Sequence, residues 1–285
     1  MNRFKSIFIT LFVVLVNLAL LHVATLSWHS PLGSGWFGVF VLALPNFYFF
    51  VWLFMGRKGR TTRNMHLLMA TNLTGYAMVL TDPGMESNPW PLLVGTLLFF
   101  GSLAMVFWYS NLGSRKPVGL AEGEKLPPFV LKTLAGEEFS SEQLKGKPGL
   151  LVFYEGAWNP LGVTQVRELA GRFIDLDRLG MQVYAISPQP VNKSAELAAR
   201  LQVPFEFLVD PQAEVARRLG LRAEHGVPWG VHRMGYGEHS VLPTVLMINK
   251  HGRIVHAHFT DNLRVRPEPD ALLELARQRL GALDA

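Results

Sequence analysis

The sequence predicts a chain in two parts, an all-α membrane region of four transmembrane helices followed by an α/β domain. Two observations carry this prediction. Four long apolar runs precede residue 113, whereas short apolar stretches alternate with charged ones after it. Only six of the 27 Lys and Arg, and two of the 22 Asp and Glu, precede residue 113. We therefore assign residues 1–112 to a four-helix membrane domain, 113–124 to a polar linker and 125–285 to the α/β domain.

The four apolar runs have lengths near the roughly 20 residues that span a hydrocarbon core. They comprise residues 7–26, 37–55, 65–81 and 92–109. The N-terminal flank, the second connection and the segment after the fourth run are basic, whereas the first connection has no Lys or Arg and the third is acidic. By the positive-inside rule, this alternation predicts that both termini lie in the cytoplasm.

Polar residues inside the apolar runs leave two interpretations open. Asn17, Asn46 and Asn72 either form hydrogen bonds between helices or line a polar site. His22 would lie near the outer end of the first span and His66 near the inner end of the third. Most of the bilayer would separate them, so they are a poor pair of haem ligands. We expect no cofactor in the chain, and binding of quinone or haem by the membrane part is left open.

The elements of the α/β domain follow from apolar periodicity and turn residues. A short helix capped by Ser140 or Ser141 is expected after the first strand. Strands are predicted at 128–134, 149–154, 181–188, 205–210, 243–250 and 253–259, and helices at 161–179, 191–201, 211–219 and 267–280. Strands that alternate with helices indicate a sheet covered by helices on its faces.

Composition excludes several kinds of chemistry. The sequence contains no cysteine, so a disulfide, a thiolate nucleophile and a cysteine metal site are all excluded. The excess of basic residues is +4 before residue 113 and only +1 after it. Because the basic residues flank the apolar runs, we expect a lipid bilayer as a partner and no nucleic acid.

The stretch 156–162, GAWNPLG, connects a buried strand to a helix. Asn is a favoured N-cap residue and Pro is favoured at the first helical position. Asn159 and Pro160 therefore predict the start of the helix without any redox role.

A long loop, residues 224–240, carries four glycines, two aromatic residues and three histidines. Such a length is unusual for a connection within a domain, and long loops often carry function. One hypothesis is a metal site formed by His225, His232 and His239. Another is a recognition surface formed by Trp229, His232, Arg233 and Tyr236, since Trp, Tyr and Arg are enriched at binding hot spots. The third is a loop packed by its aromatic residues, with solvated histidines.

The order of these elements resembles the thioredoxin fold. The stretch FYEGAWNPLG ends the central strand, and LPTVLMINKHGRI lies near the end of the chain. The opening KLPPFVLKTLAGEEFSSEQLKGKPGLLVFYEGAW resembles, more narrowly, the peroxiredoxin branch, the alkyl hydroperoxide reductase and thiol-specific antioxidant family. The resemblance covers about residues 125–280 and implies a bacterial protein, which the four apolar runs then predict to lie in the inner membrane.

The resemblance also implies where the family's chemistry would lie. The threonine, or first cysteine, of the family falls at Asn159, the peroxidatic cysteine at Gly162, and the later arginine at Pro243. Leu242, Pro243 and Thr244 fall where relatives carry a cis-proline beside a substrate groove. A cis Pro243 is therefore plausible, although its state is left open. With the sulfur absent, no residue is assigned a catalytic role.

Three interpretations of the degenerate loop formed by Trp158, Asn159, Pro160 and Gly162 follow. It is purely structural, or it binds a peptide or protein in the old groove by backbone pairing, or it holds a small anion at the helix N-terminus. Our leading hypothesis is a redox-inactive binding or scaffolding module with a protein partner, such as a membrane complex. The alternative is a peroxidase-like oxidoreductase that uses a metal, haem or quinone.

Overall fold

The computed structural model describes residues 3–26, 34–56 and 58–281. The chain divides into two compact units near residue 112. The first is entirely helical, and the second contains a mixed β-sheet with helices.

The described part of the helical unit contains four helices. They are α1 (Arg3–Leu26), α2 (Gly35–Met55), α3 (His66–Leu80) and α4 (Trp90–Leu103), the last continued by a π-helical segment, Ala104–Tyr109. Within the described residues, three helices are long and apolar enough to cross a membrane, namely α1, α2 and the continuous stretch Trp90–Tyr109. Helix α3 has 15 residues and rises only about 22 Å, less than the roughly 30 Å of a hydrocarbon core. The predicted third span, 65–81, is therefore not among the candidate spans.

Buried polar side chains join three of these helices. Asn46 on α2 donates from Nδ2 to Oδ1 of Asn72 on α3, at 3.0 Å. The Ser102 hydroxyl on α4 donates to the same Oδ1, at 2.9 Å. Hydrogen bonding between helices is thus the correct interpretation for Asn46 and Asn72. Asn17 instead donates to the Val13 carbonyl of its own helix, at 2.8 Å.

The second unit is built on a seven-stranded mixed sheet in the order β2-β1-β5-β4-β3-β8-β9. Its strands are β1 (Val130–Lys132), β2 (Glu138–Ser140), β3 (Gly149–Phe153), β4 (Gln182–Ser187), β5 (Glu206–Val209), β8 (Thr244–Ile248) and β9 (Ile254–Phe259), while β6 (Arg222–Ala223) and β7 (Ser240–Val241) form a separate pair. The helices are α5 (Pro160–Ala170), α6 (Phe173–Arg178), α7 (Val191–Leu201), α8 (Glu214–Arg218) and α9 (Pro269–Gly281). Strand β3 is parallel to β4 and antiparallel to β8.

Apolar clusters pack on both faces of the sheet. Every residue of the central strand β3 is buried, which explains its uninterrupted apolar sequence. The predicted class, an α/β domain of strands alternating with helices, is confirmed.

Two predicted helices are broken in the structure. The helix predicted at 161–179 ends at Gly171, and the backbone of Arg172, with φ −108° and ψ 15°, separates α5 from α6. The helix predicted at 211–219 begins as a 3-10 turn, and Gln212 and Ala213 then adopt positive φ before α8. Both breaks arise from non-helical backbone angles at one or two residues. The spacing of apolar residues in the sequence does not reveal such angles.

The segment predicted as a linker, 113–124, packs against the domain. Leu120 is fully buried. The Gly123 amide donates to the Ile254 carbonyl at 2.8 Å, and the Ile254 amide donates to the Glu124 carbonyl at 2.9 Å. The segment therefore covers the start of the edge strand β9, which would otherwise expose unpaired backbone groups.

Candidate functional site

The candidate site lies where the chain leaves the parallel strands β3 and β4, the usual position of sites in such sheets. Three loops meet there. The Ala157 amide of the degenerate loop donates to Oε1 of Gln189 after β4, at 2.6 Å. The Ser240 hydroxyl, at the end of the long loop, donates to the Glu155 carbonyl at 3.3 Å. The loop that contains the predicted site residues is therefore hydrogen-bonded to both neighbouring loops.

The start of α5 follows the sequence prediction. Oδ1 of Asn159 accepts a hydrogen bond from the Leu161 amide at 3.0 Å, and Pro160 occupies the first helical position. The same Asn159 also donates from Nδ2 to Oε1 of Glu155, at 2.8 Å. The cap of α5 is thus tied to a residue that ends the preceding strand.

A buried ion pair lies behind this cap. Nη2 of Arg266 lies 2.6 Å from Oε1 of Glu155, and the two side chains are only 1% and 3% exposed. Nη1 of Arg266 donates to Oε1 of Gln165 on α5, at 3.0 Å. Buried charges are costly unless they are paired, and here each charge compensates the other.

Two atoms of this pair have no hydrogen-bond partner among the described atoms. They are Oε2 of Glu155 and Nε of Arg266, and both are buried. Oε2 faces the first turn of α5, because a Cβ built on Gly162 would lie only 2.9 Å from it. The same Cβ would lie 3.5 Å from Cβ of Tyr154. Any side chain at position 162 therefore requires the Glu155 carboxylate to move.

Tyr154 supports the site from the core. Burial raises the pKa of its phenol, against the hydrogen bonding of Ser194 and Ser187, which lowers it. Nε2 of Gln189 donates to the Tyr154 hydroxyl at 2.9 Å. The phenol is thus a neutral structural group.

Backbone groups at the groove predicted at Leu242, Pro243 and Thr244 form hydrogen bonds within the domain. The Leu242 amide donates to the Leu221 carbonyl at 2.7 Å, and the Thr260 amide donates to the Pro243 carbonyl at 3.2 Å. The Leu242 carbonyl accepts from the Thr244 hydroxyl at 2.9 Å. The Leu242 amide and the Pro243 carbonyl are therefore engaged within the domain, whereas the Leu242 carbonyl accepts only from the hydroxyl of a neighbouring residue. The Leu242–Pro243 peptide bond is trans.

Three of the four residues predicted to form a recognition surface on the long loop are exposed. Trp229 is 52% exposed, and His232 and Arg233 are exposed as well. Tyr236 is instead buried, and burial raises the pKa of its phenol. The aromatic surface of this loop is therefore carried by Trp229, while Tyr236 anchors it.

The three histidines proposed as metal ligands do not form one group. Nδ1 of His225 lies 2.6 Å from Glu238 Oε1, and Nδ1 of His239 lies 3.0 Å from Glu224 Oε2. His232 lies apart from these pairs, on a 3-10 turn. Within the described residues, no three His, Cys, Asp or Glu side chains are placed to hold a metal ion. The pairs instead tie the two ends of the loop together.

Sequence reasoning missed Glu155 and Arg266. A charged residue directly after a fully apolar strand is the signal that could have identified Glu155 as a site residue. Arg266 is 111 residues further along the chain, in a segment without regular structure. Only the fold brings the two charges together.

Comparison with known proteins identifies relatives of the C-terminal part of the chain. The sequence profile of the AhpC/TSA family matches residues 123–257. A Bcp-type protein of Haemophilus influenzae is 27% identical over 159 residues, which is 55% of this chain and 97% of that protein. Peroxiredoxin Bcp of Escherichia coli is 23% identical over 163 residues, 56% of this chain and 97% of its own.

The C-terminal domain is peroxiredoxin-like. It is a thioredoxin-fold domain of that type without cysteine. Among solved structures, peroxidoxin BcpB of Mycobacterium tuberculosis is similar with a TM-score of 0.46 and 20% identity, over 56% of this chain and 97% of its own.

Proposed function

We propose that the peroxiredoxin-like domain is a redox-inactive recognition module that binds a protein partner at its old active-site face, as a subunit or scaffold of a membrane complex. The observation that carries this proposal is the Glu155 carboxylate, which occupies the space beside Gly162. The resemblance places the peroxidatic cysteine at that position. A thiol is absent and the space for one is closed, while the surrounding fold is retained.

The exposed face of the long loop is the proposed contact surface. Trp229 and Met234 are 52% and 69% exposed on this loop, and exposed Arg233 lies between them in sequence. Exposed Trp and Arg are typical anchors of protein interfaces. Because the Leu242 amide and the Pro243 carbonyl are already hydrogen-bonded within the domain, we propose side-chain contacts with the loop rather than backbone pairing.

We further propose that the helical unit anchors the domain as a four-span protein of the bacterial inner membrane with both termini in the cytoplasm. The basic flanks of the apolar runs support this orientation. In this arrangement α3 is a short span, held by the buried Asn46, Asn72 and Ser102 cluster.

Co-purification tests the recognition proposal. The tagged full chain is expressed at native level in its bacterial host, cross-linked in the membrane and mildly solubilised, and its stoichiometric companions are identified by mass spectrometry. The test variant is Trp229→Ala. Its matched control is Ile174→Ala, which removes a side chain that is 65% exposed on α6.

We expect one companion that is lost with Trp229→Ala and retained with Ile174→Ala. A companion that persists in both variants would place the interface elsewhere. Consumption of peroxide by the purified chain with a thiol reductant, above the rate of the reductant alone, would contradict the redox-inactive part of the proposal.

A further inference from the structure

The first turn of α5 has the features of an anion site. A helix N-terminus carries partial positive charge, equivalent to about half an elementary charge. The α5 helix has 11 residues, and the buried Arg266 guanidinium contacts Gln165 in its second turn and Glu155 just before the helix. Two sources of positive charge therefore meet at the same buried place.

A carboxylate fills this place. Oε2 of Glu155 is buried and has no hydrogen-bond partner among the described atoms, and it lies 2.9 Å from the position of a Cβ on Gly162, in the first turn. Its other oxygen, Oε1, is held by Arg266 at 2.6 Å and by Asn159 at 2.8 Å. The carboxylate cannot withdraw without breaking both contacts.

We propose that the N-terminus of α5 and Arg266 form an anion site whose permanent occupant is the Glu155 carboxylate. The site takes a small carboxylate-type anion, supplied here by the chain itself. Gly162 is the residue that leaves room for it. The anion hypothesis for the degenerate loop is thereby given a specific occupant.

The buried carboxylate has a structural consequence. Glu155 contacts the cap of α5 through Asn159, and its backbone carbonyl accepts the Ser240 hydroxyl at the end of the long loop. Fixing the carboxylate therefore fixes both loops of the face. This consequence rests on the proposed function, since it explains how the recognition surface is held ready for a partner. The anion site itself does not depend on the proposed function.

Chemical rescue tests the proposal. Glu155→Ala leaves Arg266 and the α5 N-terminus without their anion, so the thermal midpoint of the domain in the solubilised full chain falls, by roughly 6 °C or more. Formate, a free carboxylate small enough to enter the vacated space, restores at least half of that loss. In Glu155→Ala/Arg266→Met, formate restores little, because the buried cation is gone.

Two controls separate this site from general salt effects and from packing. Asp175→Ala removes a surface carboxylate that is 31% exposed, so formate should not raise its midpoint. Glu155→Gln fills the space with a neutral group, so its midpoint is lowered and formate has no effect. If formate rescues Asp175→Ala as well as Glu155→Ala, or if Glu155→Gln is as stable as the parent, the proposal is overturned.

None of these readouts involves a partner. Failure of the rescue leaves the recognition proposal intact, and failure of the co-purification leaves the anion site intact. Should Glu155→Ala not fold in any condition, the comparison of Glu155→Gln with the parent still decides whether the charge is needed.

Discussion

Gly162 lies where the resemblance to peroxiredoxins would place the peroxidatic cysteine. The absence of a side chain there has a simple spatial reason, the carboxylate 2.9 Å from a built Cβ. Glycine inside a helix costs about 1 kcal/mol relative to alanine. Its presence in α5 is thus explained by the close approach of Glu155 rather than by helix propensity.

Gly162→Ala is expected to destabilise the domain by about 1–3 kcal/mol, the usual cost of overpacking, despite the better helix propensity of alanine. The matched control is Gly171→Ala at the end of α5, where a Cβ would meet no atom closer than 3.4 Å. Pulse proteolysis in urea on the solubilised full chain measures both. A Gly162→Ala variant as stable as Gly171→Ala would show that Glu155 can move freely.

Arg266→Met is expected to cost about 3–5 kcal/mol, because it leaves the Glu155 carboxylate buried without its cation. The double variant Glu155→Gln/Arg266→Met should cost less than the sum of the two single changes. The exposed pair of Arg172 and Asp270, whose side chains are 46% and 66% exposed, provides the control. Arg172→Met should cost only about 0–1 kcal/mol. Equal losses for the two arginine variants would refute a special role for Arg266.

At the scale of the elements, the features that the sequence predicted correctly are those that depend on residues close together in the chain. The cap at Asn159 and Pro160 is local, so its prediction is confirmed. The pair of Glu155 and Arg266 depends on two segments 111 residues apart, and no spacing rule brings them together. The hydrogen bonds of the Leu242 amide and the Pro243 carbonyl, to Leu221 and Thr260, likewise join parts of the chain that are distant in sequence.

The edge strand β9 carries a histidine whose titration affects stability. Burial lowers the pKa of His258 below its usual 6.5; nearby His256 and Arg115 lower it further, and Asp261 opposes them. Its Nε2 is buried without a partner in the described part of the chain. Because the folded state binds this proton less tightly than the unfolded state, stability is full above the unfolded pKa and is lost as pH falls below it.

His258→Phe is therefore expected to flatten the fall in stability of the domain between about pH 7 and pH 5. The control is His251→Gln, at an exposed turn, which should leave that slope unchanged. Thermal midpoints of the solubilised full chain across this range give the comparison. The same pH slope in His258→Phe and the parent would assign the acid sensitivity to other groups.

At the scale of the whole molecule, apolar run length and charge predicted two different parts, and the order of strands and helices predicted the class of the second. The number of membrane crossings is harder to predict, because it depends on one marginal helix. Helix α3 has 15 residues, whereas its apolar run in the sequence extends over 65–81. Whether it crosses decides on which side of the membrane the peroxiredoxin-like domain lies.

The absence of cysteine makes this question directly measurable, since any introduced cysteine is the only thiol in the sequence. Suitable exposed positions are Thr62, Glu86 and Gln278, each changed singly to cysteine and treated with a membrane-impermeant maleimide in cells with a permeabilised outer membrane. If α3 crosses, Glu86→Cys is labelled in these cells, whereas Thr62→Cys and Gln278→Cys react only after lysis.

A helix α3 that does not cross reverses two of these results. Thr62 and Glu86 would then share the cytoplasmic side, and Gln278 on α9 would face outward. We expect the four-span result, because the connection 82–89 is acidic while the segment after Tyr109 is basic, and basic segments are retained on the cytoplasmic side. A short span costs only fractions of a kcal/mol per ångström of mismatch, which the buried hydrogen bonds of Asn72 on α3 can offset.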